Sequence, residues 1–342
     1  MNAIDLPALD GRSVLGFLAA IGTVRVLAEH TEHTDTRLSW DPAGFTARIH
    51  LRGAHTVGDI AACLRATLPD SANDGYLPGL DAPLPLGPDD ATSDEGKRPD
   101  DRMRMPPAEL QDRYTAWADH ETDRNLLDQW ITGLITDIAV DETADKATAL
   151  TLRTGLLAPF ARMTTRTAFR NAIELCHDTR DTDHLLAALT GWRRVSGYTG
   201  EYLDDRALLD STDSPTAVGE ERGVPGATWL ALMALPIFRV TATIPTGGTP
   251  RQSGTGWQRG QRSVQPVFRW PIWRQALDLD AIHALTDHPA LTLRYQDGWH
   301  TTAPARTLAR LGVLRICAAN RLVIPQGNQR KRVFRHVPIE SG

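Results

Sequence analysis

Cysteine, lysine and long apolar runs are what this chain has least of. Only three of its 342 residues are cysteine: Cys63, Cys176 and Cys317. Their odd number and wide separation argue against a disulfide framework and against a cysteine-built zinc site. No apolar run approaches the roughly 18 residues that a membrane span needs. Met1–Asp5 has no basic segment of the secretory kind, so a cytoplasmic protein without a membrane partner is expected. Four catalytic patterns are also missing: Gly-x-x-x-x-Gly-Lys-Ser/Thr, Gly-x-Gly-x-x-Gly, His-Glu-x-x-His and Gly-x-Ser-x-Gly. Their absence removes the common nucleotide-binding, zinc-protease and esterase signatures.

With 41% apolar and 23% charged residues, the composition is that of an ordinary globular protein and excludes a wholly disordered or collagen-like chain. The length suggests about two domains. The net charge of −5 hides an asymmetry: residues 1–150 carry 13 Lys+Arg against 26 Asp+Glu, and residues 151–342 carry 24 against 16. On that shift we expect an acidic α+β/helical domain over 1–150 and a basic α+β domain over 151–342.

The local pattern predicts an α+β fold. Its parts are a helix–hairpin–helix unit at the N-terminus, a helical middle, and a mixed C-terminal part with short antiparallel strands. Ser13 caps a helix over Val14–Leu27 that is apolar on most sides. Arg37–Leu51 reads as a hairpin around Asp41-Pro42-Ala43-Gly44. Thr56 and Asp59 form a capping box for a helix to about Leu68. Residues 70–101, with five Pro, four Gly and nine acids, read as a long acidic loop. Helical spacing from Leu126 and Trp130 continues through Ile135 and Ile138. Residues 192–228 read as a long irregular segment, and Gly247–Gly260 as a flexible loop. Val267–Trp273 reads as a strand that Pro271 places at an edge. Val313–Cys317 and Arg321–Ile324 read as a hairpin turning at Ala319-Asn320, followed by a basic tail.

Two features carry chemistry. The first is Gly191–Arg206, where Glu201, Asp204 and Asp205 suit acid/base or metal chemistry. In the same stretch Arg193, Arg194, Tyr198 and Tyr202 suit phosphate clamping and base stacking. The structural alternative is a loop pinned by Arg–carboxylate pairs. The second is charge placement. No acid lies between Glu221 and Asp278, a span that holds Arg222, Arg239, Arg251, Arg259, Arg262, Arg269 and Arg274 with Trp257, Phe268, Trp270 and Trp273. A second acid-free run, Gly298–Ile339, has eight Lys+Arg, including Arg330, Lys331, Arg332 and Arg335. Guanidinium groups fit phosphate bidentately and aromatic rings stack on unpaired bases, so these runs are candidate nucleic-acid contacts. The alternative is a basic face docked on an acidic partner. His177-Asp178, His283/Asp287 and His30/His33 each supply two ligands at most, which is too few for a metal site. Neither metal nor cofactor is expected.

The N-terminal pattern Leu-Asp-Gly-Arg…Leu-Gly-Phe-Leu-Ala-Ala-Ile-Gly, followed by Arg-Leu-Ser-Trp, resembles the start of proteins from type I-G (formerly I-U) CRISPR–Cas systems. The blocks Leu-Thr-Gly-Trp-Arg-Arg-Val-Ser-Gly-Tyr-Thr-Gly-Glu-Tyr-Leu-Asp-Asp-Arg and Gly-Val-Pro-Gly-Ala-Thr-Trp-Leu-Ala-Leu-Met-Ala-Leu-Pro are similar to the smaller accessory, large-subunit-like (helicase-nuclease-extension) member of that set. The resemblance is best over residues 189–236. It implies a subunit or accessory of an RNA-guided complex, with other CRISPR–Cas subunits and guide RNA or target DNA as partners, and it brings no catalytic residues. The alternatives are a metal-dependent hydrolase or nuclease using Glu201–Asp205, and a protein–protein adaptor.

Overall fold

The structure is a computed structural model. It describes residues 1–69, 77, 80, 105–141, 150–157, 165–204, 206–209, 221–244, 251–260, 264–326 and 329–340. Most of the acidic stretch 70–101 therefore lies outside the described residues. The fold is α+β. Two compact units are present, each built from separated segments: Met1–Thr67 with Leu175–Ala234 and Gly256–Gly342, and Leu68–Glu174 with Leu235–Thr255. This division by packing and the charge shift near residue 150 are different partitions of the chain.

The larger unit opens with a strand, Asn2–Asp10, ahead of the expected helix. The order is strand, helix Val14–His30, strands Arg37–Trp40 and Thr46–Leu51, then helix Val57–Ala66. Thr46–Leu51 lies between the other two strands and runs antiparallel to both, which makes this a split βαβ. The caps form as the sequence requires. Ser13 accepts from the Gly16 N–H at 3.4 Å, and Thr56 and Asp59 close a reciprocal capping box. Alternation along Thr46–Leu51 buries Ala47, Ile49 and Leu51 against the helical layer.

Helix Val14–His30 is buried from Val14 to Leu27 and crosses helix Pro225–Met233. Gly22 sits at the crossing, where a Cβ would come within 1.7 Å of the Leu230 carbonyl. Arg25, also fully buried, donates to the Met233 carbonyl at 3.0 Å and pairs with Glu29 at 2.7 Å.

A four-stranded antiparallel sheet follows in the order Trp257–Gln258, Val267–Trp273, Val313–Gln326, Gln329–His336. Every residue of Val267–Trp273 is buried. Trp270 donates from Nε1 to the Gly11 carbonyl at 2.7 Å and Trp273 to that of Leu38 at 2.9 Å. Phe17 and Trp40 complete an aromatic core with these two rings. Pro271 is interior in strand order, but the neighbouring strand Trp257–Gln258 pairs only with Phe268 and Val267. The strand is therefore locally an edge at the proline, where a missing N–H costs nothing.

Three expectations are corrected. Helical spacing past Leu134 does not extend the helix Arg124–Leu134. The β-branched run Ile135–Asp141 instead pairs with Leu150–Arg153, because cross-strand pairing outweighs a marginal helical period. Residues 251–258 are not all loop, since Arg251–Gly254 pairs with Val240–Thr243. Ala319-Asn320 is no turn. Val313–Gln326 is one long strand in which Ala319 faces His336 and Asn320 faces Arg335, so the basic segment is a strand rather than a tail.

Candidate nucleic-acid interface

The long hairpin brings its cations to a sheet. Val323 pairs with Arg332, Arg321 with Phe334, and Ala319 with both His336 and Phe268, which itself faces Trp257. Paired residues share a face in an antiparallel ladder. One face thus carries Trp257, Phe268, Phe334, Arg321, Val323 and Arg332. The rings of Trp257, Phe268 and Phe334 lie 5.7–6.2 Å apart. Phe268 and Phe334 are buried, Trp257 is half-buried, and Val323 and Arg332 are exposed. The Arg321 guanidinium stacks 3.8 Å above the Phe334 ring. Such a face offers an exposed guanidinium for phosphate and a partly open indole for stacking. Arg335 is exposed too and pairs with Asn320. Arg330 and Lys331 pair with Pro325 and Ile324 on the same hairpin, and their side chains lie outside the description.

Of the other expected contacts, Arg193, Arg259 and Arg274 are exposed, as is Arg239, just before the strand Val240–Thr243 in the smaller unit. The Arg251 side chain and all of Arg262 lie outside the described residues. Arg269 is buried and donates to the Thr286 carbonyl at 3.2 Å. Burial lowers its pKa while Asp287 opposes the shift. An arginine held inside in this way braces a helix end and does not face a phosphate. Phe268, Trp270 and Trp273 are fully buried core residues; the arginine–aromatic interleaving read from sequence is here largely a strand inside the protein.

The Gly191–Arg206 segment is a braced turn. Gly200, Glu201 and Tyr202 are consecutively left-handed, at φ 57°, 55° and 52°, a conformation that glycine adopts freely and other residues rarely do. Glu201, Tyr202 and Asp204 are all buried. Arg194 pairs with Asp204 at 2.5 Å and donates to the Arg222 carbonyl at 2.9 Å. The Tyr202 hydroxyl donates to Glu221 at 2.9 Å. Arg321 reaches the turn from the hairpin and donates to the carbonyls of Tyr202 and Arg332, both at 3.1 Å. Burial raises the pKa of the Tyr198 and Tyr202 phenols, and Glu201 beside Tyr198 and Glu221 beside Tyr202 raise them further. Both tyrosines are thus neutral and interior in this conformation, with no ring face open for a base. The loop pinned by Arg–carboxylate pairs, which the residues also allowed, is the arrangement present. Asp205 lies outside the described residues.

The remaining pairs are local. Asp178 binds Arg180, which lowers its pKa to about 2. His283 lies 3.6 Å from Asp287. His33 meets His55 and Cys63 rather than His30. Among the described residues no group of three His, Cys, Asp or Glu side chains is arranged to hold a metal ion, and no helix is long and apolar enough to cross a membrane.

Arg321 and Val323 were not singled out by sequence. The signal that finds them is the alternation of the long strand, which the turn-like Ala319-Asn320 pair concealed. No protein-family model matches the chain, and no curated protein matches it either.

Proposed function

We propose that the protein is a cytoplasmic, non-catalytic nucleic-acid-binding subunit or accessory factor of a type I-G CRISPR–Cas interference complex. The observation that carries this reading is the cationic strand Gln329–His336, with Arg332 and Arg335 exposed in an acid-free stretch of sequence. The N-terminal and 189–236 resemblance supplies the biological setting. In an RNA-guided complex base pairing reads the sequence, and protein cations hold the backbone.

Two measurements test it together. Tagged purification from the native host should bring down CRISPR–Cas subunits with short RNAs that share one repeat-derived end. The isolated protein should bind single-stranded nucleic acid with a steep salt dependence. Replacing Arg332 and Arg335 by alanine should then lower the slope of log K against log salt by about 0.7 per lost contact. Recovery of the protein alone and free of RNA, with an unchanged slope in the double variant, would refute the reading.

A further inference from the structure

A groove of about 520 Å³ lies at the other end of the long strand, where Gln329–His336 has ended and the chain turns back through Val337–Glu340. That volume is in the range of small-molecule sites. Its apolar floor comes from Leu308, Val313, Ile316 and Cys317. Its ionisable side chains include Arg12, Arg315, His336 and Glu340.

Three observations point to an anionic, aromatic ligand. First, Arg12 and Arg315 come from separate parts of the fold yet both act on the thiol of Cys317. Burial raises that thiol to about 12; Arg315 and Arg12 oppose the rise and Asp10 adds to it. Both side chains line the groove that Cys317 also lines. Second, Arg12 is pre-positioned. Asp10 grips its guanidinium through two bonds of 2.9 and 2.8 Å, and the Phe45 ring lies 5.7 Å beneath it. Third, Phe45 lines the groove at φ 58°. A bulky residue rarely adopts this region, and strain of this kind concentrates at ligand-binding positions. Two hydrogen bonds of 2.8 Å, from its N–H to the Asp41 carbonyl and from the Gly11 N–H to its own carbonyl, hold it there. Glu340 sits 3.7 Å from His300, and Asp10 is spent on Arg12. Arg315, which also bonds the Cys317 thiol, and His336 stand beside the Asp10-paired Arg12 to meet an anion.

We infer that this groove binds a phosphate-bearing nucleotide, its phosphate on Arg315, Arg12 and His336 and its base against the Phe45 ring. The phosphate belongs either to a free mononucleotide or to the end of a strand. The site lies at the opposite end of the hairpin from Val323 and Arg332 and does not depend on the CRISPR reading.

Fluorescence anisotropy on the full chain tests it. The probes are a short single-stranded DNA with a 5′-phosphate, the same strand with a 5′-hydroxyl, and adenosine monophosphate as competitor. The expected result is about tenfold tighter binding of the phosphorylated strand. Arg315→Gln should abolish that preference and Arg315→Lys should partly restore it. Phe45→Gly removes the ring and gives the left-handed backbone to a residue that adopts it freely, so it should weaken binding without unfolding the protein. Competition by the mononucleotide identifies a nucleotide-sized site; preference without competition identifies a strand-end site. Equal binding of both strands with no mononucleotide binding would overturn the inference, as would a preference undiminished in Arg315→Gln and Phe45→Gly. Salt-dependent binding through Arg332 and Arg335 would survive that failure, so the two readings fall separately.

Discussion

The Arg194 guanidinium is mostly covered and lies 2.5 Å from a carboxylate, Asp204, that is only 6% exposed. Removing one partner of such a pair strands the other without its countercharge, and that penalty exceeds the modest net worth of the pair. Arg194→Ala is therefore expected to destabilise the protein by about 2–3 kcal/mol. Urea unfolding reads the change, and a loss under about 0.5 kcal/mol, the level of an ordinary surface substitution, would show that Arg194 does not brace the turn. The residues around it explain why the candidate site was only partly legible. Tyr198, Tyr202, Glu201 and Asp204 have the composition of a binding loop, yet three successive left-handed residues turn them inward. Nothing in the types Glu and Tyr announces a left-handed backbone, so composition alone pointed outward. The exposure of Arg332 and Arg335 was legible because arginine is seldom fully buried without a partner. Arg269 is an exception, held out of solvent by a carbonyl at a helix end.

Among the elements, the helix crossing at Gly22 sets one local preference against one contact. Alanine gains about 1 kcal/mol over glycine in a helix interior. Here its Cβ would lie 1.7 Å from the Leu230 carbonyl, a backbone atom that moves only if the helices separate. Overpacking of this kind costs about 1–3 kcal/mol, occasionally more. Gly22→Ala should thus be net destabilising by about 2 kcal/mol, with a lower Tm, while Gly58→Ala, exposed in the first turn of Val57–Ala66 with only the Thr56 hydroxyl near at 3.5 Å, should be neutral or stabilising. Equal effects at the two sites would contradict this account of the crossing. Helices were readable where caps marked them, at Ser13 and Thr56. The strand Asn2–Asp10 escaped because Pro7 breaks its pattern. It falls where the register jumps between Leu6 and Asp10, so the proline sits in an irregularity that sequence does not reveal. The Val313–Gln326 strand was split for the same kind of reason: Asn320 reads as a turn residue, but its neighbours on both sides are strands.

Taken as a whole molecule, stability against acid divides into two windows. Burial lowers the pKa of His30 to about 4, with Arg25 reinforcing the shift and Glu29 nearby at 3.9 Å. Burial also lowers those of His50 and His184. Each folded value lies below the unfolded one near 6.5, so above that pH the neutral forms cost nothing. As pH falls from about 6.5 towards 4 the unfolded chain takes up protons that the folded one refuses, and stability declines. The carboxylates with lowered values, Asp59, Asp178 and Asp183, contribute above their unfolded pKa, and their contribution is lost only as pH drops further. Urea unfolding of His30→Gln and the parent at pH 7.5, 5.5 and 4 separates the two. The variant should lose less stability between the first two pH values; parallel curves would remove His30 from the acid response.

The indole bond from Trp270 to Gly11 joins residues 259 positions apart, and that from Trp273 to Leu38 joins residues 235 apart. On the ribosome this sets a clock. At about 5–20 residues per second, roughly 13–50 s pass between the emergence of Gly11 and the arrival of the tryptophan that closes its core. Through that interval the apolar helix Val14–Leu27 has its own three-stranded sheet beside it but lacks the Trp270 and Trp273 rings that complete its cover. The nascent chain must spend that time in the care of a chaperone or risk association with its neighbours on the same message, so slowing or speeding translation should change the yield of folded protein more than it changes its final stability.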